Sequence, residues 1–299
     1  MRNHFITRII VNAENDERIM LVTGDLGFSV LEGFEKKFPD RYVNVGIAEQ
    51  NMAAVAAGLA MEGNMVLTYS IGNFPTLRCI EQIRNDICYH DANVKILAVG
   101  GGFAYGTLGM THHATEDIAM MRALPNMNVY VPCDYVTAEK IADEICHNSR
   151  PSYVRMERGG EKKVFVEQSE LNVYDIQCLR KGNRVALITV GTLVNDALEA
   201  AEELNLGVFA VLTVKPINKK QLEQIADEYE HIITIEEHNV VGGLGGTVCE
   251  VLADKKHKAT IFRLGLNDEY TSIVGHQEYL RKVYGLDSKG IIKRVKSLL

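Results

Sequence analysis

Short apolar runs rich in Val, Ile and Leu alternate along the chain with segments whose apolar residues recur every three to four positions. In the first half the strand-length runs are IMLVT (19–23), RYVNV (41–45), MVLTYS (65–70), VKILAVG (94–100), NVYVP (128–132) and SYVRM (152–156). Helical spacing fills 49–62, 74–90, 115–124 and 134–148 between them. A second series places strands at 184–191, 207–214, 231–237 and 260–265, with helices near 194–205, 217–228 and 243–254. Continuously apolar strands are covered on both faces, and strand–helix alternation with short connections builds βαβ units. The pattern predicts an α/β protein of two doubly wound domains, each a mainly parallel sheet, the second one smaller. It loosens at 158–183, polar and charged with one short strand-like piece. The expected boundaries are therefore a first domain at 1–160, a linker at 161–182 and a second domain at 183–299.

Composition narrows the class without changing it. At 299 residues there is room for two separate cores, and 46% hydrophobic with 24% charged residues is ordinary for a globular protein. No apolar run is long enough to span a bilayer; the longest, around Met52–Met61, is interrupted. The first residues lack the charged-then-apolar layout of a secretion signal, so a cytoplasmic protein is expected. Six cysteines are scattered without a C-x-x-C pair, which reads as free thiols and not as a disulfide frame or zinc site. A net charge of −7 argues against nucleic acid as a partner.

Ligands of open parallel sheets bind at the carboxyl ends of the strands, in loops leading into helices. Three such loops stand out: GIAEQN after 41–45, GGGFAYGTLGMTHHATED after 94–100, and EEHNVVGGLGG after 231–237. The last has the context of a dinucleotide fingerprint but not its spacing, since Gly243 and Gly245 are followed by Val248. Close packing is the better account of those glycines. In the second loop, Glu116 and Asp117 suit a first helical turn and Pro125 ends the helix. His112 and His113 then lie at the helix's N-terminal approach, where the dipole keeps an imidazole neutral and able to exchange a proton with a hydroxyl. A loop histidine bonded to backbone is an equal alternative from this loop alone. The pair is adjacent and neither H-x-x-x-H nor H-E-x-x-H occurs, so no metal is expected in this chain.

Glu49 opens a helix that is apolar almost all round (Met52, Ala53, Val55, Ala56, Ala57, Leu59, Ala60) and so expected to be buried. A carboxylate opening such a helix suits the dipole, yet its desolvation is costly unless it has a partner. Without one, burial raises its pKa and holds it protonated, a hydrogen-bond donor aimed at a ring nitrogen. Thiamine diphosphate uses that geometry: a carboxyl on its aminopyrimidine favours the imino tautomer, which deprotonates the thiazolium carbon.

The landmarks GDLGFS (24–29), FPDRYVNVGIAEQNM (38–52), GMTHHATEDIAMMRALPNM (109–127) and PSYVRMERGG (151–160) occur in order. With them the whole chain resembles the C-terminal half of transketolase in its split, two-polypeptide form. That half is a pyrimidine-binding domain followed by the transketolase C-terminal domain. The resemblance implies that Glu49 activates the pyrimidine ring and that Tyr69 stacks on it, with Phe74 as the alternative. It implies that His112 contacts substrate hydroxyls, and that Arg2, Ser29 and Arg158 hold a terminal phosphate, for which guanidinium groups are suited. Two positions depart from the family: Leu108 stands where an aspartate is expected and Gly100 where a histidine is expected. Lost polar contacts change which hydroxyl pattern a sugar site accepts. The Gly-Asp-Gly…Asn motif that holds diphosphate through Mg²⁺ is also missing. Gly24-Asp25-Leu26 with Asn51 lacks the third glycine and sits in the wrong domain.

The resemblance thus implies a subunit of a thiamine diphosphate-dependent transketolase, a transferase active only with a partner. The partner is an N-terminal subunit supplying the diphosphate and Mg²⁺ ligands, in an assembly of two copies of each. This chain would pair with itself through the apolar face around 49–62. The reaction moves a two-carbon ketol unit from a ketose phosphate to an aldehyde, with non-standard sugar selectivity. The alternatives are a deoxyxylulose-phosphate-synthase-like or 2-oxo-acid decarboxylase β-type subunit, or a non-catalytic binding protein of the same fold.

Overall fold

A computed structural model describes residues 1–166 and 170–298, so 167–169 of the expected linker lie outside the described residues. The first sheet contains β1 (Ile19–Thr23), β2 (Tyr42–Asn44), β3 (Met65–Ile71), β4 (Val94–Val99), β5 (Asn128–Tyr130), β6 (Ser152–Met156) and, from far along the chain, β10 (Thr213–Lys215). Its order is β10-β5-β6-β4-β3-β1-β2, parallel except where β10 runs antiparallel to β5. The second contains β7 (Ile176–Arg180), β8 (Asn183–Thr189), β9 (Leu206–Val211), β11 (His231–Asn239) and β12 (Thr260–Leu266), ordered β12-β11-β8-β9-β7 with β7 antiparallel to β9. Two α/β units with mainly parallel sheets are what the continuous apolar runs require, since a strand buried on both faces needs helices on both sides.

Eleven α-helices are described: α1 (Arg2–Asn15), α2 (Glu32–Lys37), α3 (Glu49–Met61), α4 (Ile80–Gln82), α5 (Asp117–Ala123), α6 (Tyr135–His147), α7 (Val194–Leu204), α8 (Lys219–Glu228), α9 (Leu244–Leu252), α10 (Gln277–Val283) and α11 (Ser288–Leu298). Sequence pattern misses α1, whose buried stripe is only Phe5, Ile6, Ile9 and Ala13. Its polar side meets α6 instead, where Arg8 and Asn12 both donate to Asp143 at 2.5 and 2.9 Å. The expected helix at 74–90 is not one helix. A 3₁₀ turn (Leu77–Cys79) leads into α4, and a π-helical turn (Ile83–Cys88) ends it. The segment expected to be linker ends in β7, whose Ile176 is buried.

α3 also corrects an expectation. Glu49, Met52, Ala53, Ala56 and Ala57 are buried, but Ala54, Gly58 and Met61 are exposed, so one apolar face is left uncovered by this chain.

A buried polar joint links the two units. Arg155 on β6 reaches Asp117 at 2.9 Å and donates to the Glu237 carbonyl on β11 at 2.8 Å. The Glu237 carboxylate accepts from Arg281 on α10 and, at 2.5 Å, from the Phe103 backbone N–H. A Cβ on Gly102 would strike that carboxylate, which is why the loop after β4 passes there as glycine. The second unit thereby holds the β4–α5 loop, residues 100–116.

Candidate functional site

The glycine-rich turn before α9 is already filled. Glu236 accepts from the N–H groups of Leu244 (2.7 Å) and Gly245 (2.9 Å), occupying the anion position of the helix terminus. A Cβ on Gly243 would collide with the same carboxylate. Burial pushes Glu236 up to about 7. The turn is a packing device of the second unit and holds no room for a nucleotide phosphate.

The other two loops converge. Glu49 is the first residue of α3, 2% exposed, with no side-chain cap before it. A Cβ on Gly24 would stand 3.4 Å from Glu49 Cγ and from the Gly46 carbonyl, so glycines at the ends of β1 and β2 make a narrow cradle beside the carboxyl. The acid has a partner within this chain: Arg78 Nη1 donates to its Oε2 at 2.6 Å. From Arg78 a row of contacts crosses the cleft. Its guanidinium lies 5.0 Å from the Phe74 ring centre, and Phe74 meets His112 edge-on at 5.2 Å. His112 is 6.5 Å from the Tyr105 ring, and the Arg158 guanidinium lies 5.4 Å from Tyr105.

Asn73, beside Phe74, steadies the middle of this row. Its amide donates to the carbonyls of His113 at 2.5 Å and Thr111 at 3.5 Å, bracketing the backbone of His112. His112 itself ends a 3₁₀ turn (Met110–His112), its Nδ1 3.0 Å from the Thr111 hydroxyl. α5 begins only at Asp117, so the helix dipole is not what conditions this pair. His113 is buried beneath, and burial pushes its pKa down while its Nε2 faces the Gly106 carbonyl at 3.3 Å.

Tyr69 and Phe74 are placed differently. Tyr69 is 3% exposed, and a Cβ on Gly27 would come within 3.2 Å of its ring edge. Burial pushes its phenol up to about 12, with the Arg2 guanidinium beside it pulling the other way. Phe74 is only partly buried and keeps an accessible ring. Arg2 and Arg158 approach because the first residue packs on the end of β6, where Glu157 N–H meets Met1 Sδ at 3.4 Å. Ser29 is exposed at φ +62, its N–H bonded to Glu32 at 2.7 Å, and no hydrogen bond ties it to the row. Leu108 is 54% exposed on the 3₁₀ turn Gly106–Leu108.

Asp25 exchanges hydrogen bonds with Asn44, each 3.1 Å, and not with Asn51, which is exposed on α3. Among the described residues no group of three or more His, Cys, Asp or Glu is arranged to hold a metal ion. Nor is any described helix long and apolar enough to cross a membrane. Sequence reasoning missed Arg78, Asn73 and Tyr105. Only for Arg78 was there a signal, the need of a buried acid for a partner.

The family described as Transketolase, pyrimidine binding domain matches residues 1–161, and Transketolase, C-terminal domain matches 175–291. A Methanocaldococcus jannaschii protein described as a putative transketolase C-terminal section is 36% identical, over 99% of this chain and 95% of its own. One of the two subunits of the apulose-4-phosphate transketolase of Actinobacillus succinogenes is 32% identical over 100% of this chain and 98% of its own. Among solved structures, one described as a split gene transketolase, inactive β4 tetramer, superposes with a TM-score of 0.88 at 33% identity, covering 99% of this chain and 96% of that one.

Proposed function

The chain belongs to the transketolase family, matching its C-terminal section along nearly its whole length, and on that premise we propose that it is the pyrimidine-binding subunit of a two-chain transferase. The enzyme moves a two-carbon ketol unit from a ketose phosphate to an aldehyde. The observation that carries this reading is the unbroken row from buried Glu49 through Arg78, Phe74, His112 and Tyr105 to Arg158. It joins an acid suited to a ring nitrogen to a cation suited to a phosphate.

The residues present fit thiamine diphosphate's pyrimidine end. Glu49 stands in a cradle walled by glycine, and Arg78 takes Oε2, leaving Oε1 for the ring nitrogen. Phe74, with its accessible ring, suits stacking better than enclosed Tyr69. When bound, the cofactor supplies a nucleophilic carbon that cleaves a ketose beside its carbonyl and carries the fragment. His112 exchanges protons with substrate hydroxyls, its backbone fixed by Asn73. Arg158 and Arg2 hold the terminal phosphate, with Ser29 as a third donor that must approach from its turn. The diphosphate and Mg²⁺ belong to a partner subunit carrying the N-terminal domain.

In this reading residues 1–160 bind the pyrimidine, 161–182 join, and 183–299 brace the β4–α5 loop. Two copies of each subunit assemble, and the uncovered face at Ala54, Gly58 and Met61 supports pairing of this chain with itself. Its six cysteines, all unpaired, suit the reducing cytoplasm. The relative named for apulose-4-phosphate, together with Leu108 and Gly100, supports an acceptor or donor outside the common pentose phosphates.

Ketol transfer, measured with this chain alone and mixed with its separately purified partner in thiamine diphosphate and Mg²⁺, tests the proposal. The mixture is expected to turn over and the chain alone to be inactive. Turnover by the isolated chain overturns the two-chain reading. A stable complex that transfers nothing to any phosphorylated aldehyde overturns the transferase.

A further inference from the structure

Tyr105 is absent from the sequence landmarks, yet it stands between the two ends of the row. Its ring lies against the bare Cα of Gly100, where a Cβ would fall within the ring itself. Gly100 also has φ +94, so two independent constraints keep a side chain off that position. A polar side chain at 100 and this ring at 105 exclude each other, which makes Gly100 and Tyr105 one feature.

On its other contacts the ring meets His112 at 6.5 Å and carries the Arg158 guanidinium at 5.4 Å. The Tyr105 phenol is also close enough to Tyr69 to add to the rise of its pKa, after burial. All the contacts that hold Tyr105 are to its ring, and among the described residues its hydroxyl meets no hydrogen-bond partner. The residue is partly exposed, so that hydroxyl is available. A phenol both donates and accepts, which matches a hydroxyl and not a phosphate.

We propose that Tyr105 is a specificity-determining residue whose hydroxyl bonds a substrate hydroxyl lying between the terminal phosphate and the reacting carbonyl. This rests on the two-chain transferase reading, in which His112 marks the reacting end and Arg158 the phosphate end. The ring is pinned by Gly100, so its oxygen is held in place before substrate arrives. Such a preorganised donor discriminates strongly against an analogue that lacks the hydroxyl, because the enzyme group is then left unpaired.

The test uses the complex of this chain with its partner, charged with thiamine diphosphate and Mg²⁺. Acceptors are phosphorylated aldehydes of three to five carbons, each paired with its deoxy counterpart; the simplest pair is glyceraldehyde 3-phosphate and 3-oxopropyl phosphate. Wild type should prefer the hydroxylated partner. Tyr105→Phe should lower that preference about tenfold or more through the hydroxylated compound alone, with thermal midpoint unchanged. Gly100→Ala, which displaces the ring, should lose the same preference. If wild type shows no preference, or if Tyr105→Phe retains it, the assignment of Tyr105 falls while the transferase reading stands. If wild type transfers to no phosphorylated aldehyde, the transferase reading itself falls, and Tyr105 with it.

Discussion

Arg158 and Leu108 lie on the same side of the row and make opposite predictions. Arg158 is exposed, tethered only over Tyr105, so removing its head leaves the fold untouched. Losing a charged hydrogen bond to phosphate costs about 1.5–3 kcal/mol, so Arg158→Ala should raise KM for phosphorylated substrates roughly tenfold to a hundredfold with kcat less affected. Steady-state kinetics on phosphorylated and unphosphorylated pairs decides it; silence on every phosphorylated compound removes the phosphate assignment. Leu108, 54% exposed, accepts a charge at little cost in stability, and Leu108→Asp should improve the use of common ketose phosphates. A donor panel in which Leu108→Asp matches wild type throughout would separate that position from selectivity. Glu49 and His112 were legible because motif order fixed them. Arg78 and Tyr105 were not, because which of 32 Lys and Arg residues meets a buried acid depends on how two loops fold together.

The element that organises the site is the β4–α5 loop, and its anchor comes from the other half of the chain. Glu237 on β11 receives the Phe103 N–H at 2.5 Å, and its carboxylate also pairs with buried Arg281. Glu237→Ala strands that guanidinium and N–H together. Breaking a buried pair from one side costs about 3–5 kcal/mol, which denaturant unfolding should show. The same variant should raise KM, since the freed loop carries Tyr105 and His112. A loss below about 1 kcal/mol with wild-type kinetics would mean that the loop stands without this anchor. Strands with continuous apolar runs were legible, because period and length agree. α1 and β7 were not: the first is stabilised by polar contacts to α6, the second by pairing with β9. Neither leaves a strong periodic mark in its own segment. The 74–90 segment kept helical spacing yet breaks into 3₁₀, α and π turns, since its ends must deliver both Phe74 and Arg78 to the cleft.

At the scale of the whole molecule, the two units share more than a linker. β10 extends the first sheet, and the Arg155–Asp117–Glu237–Arg281 joint is buried between them. The second unit therefore acts as a brace for a site whose acid lies in the first. The site remains half of what the proposed chemistry needs, because the diphosphate and metal end is assigned to another polypeptide. The most direct measurement is deuterium exchange at the thiazolium carbon of thiamine diphosphate in the complex with the partner subunit, comparing wild type with Glu49→Gln. The carboxamide keeps the size and the pairing with Arg78 in part, but cannot relay the proton. Exchange slowed by about two orders of magnitude, with cofactor affinity and thermal midpoint little changed, is the predicted result. Exchange as fast as wild type would show that the activating acid lies elsewhere, and that this chain does not supply the pyrimidine end of the site.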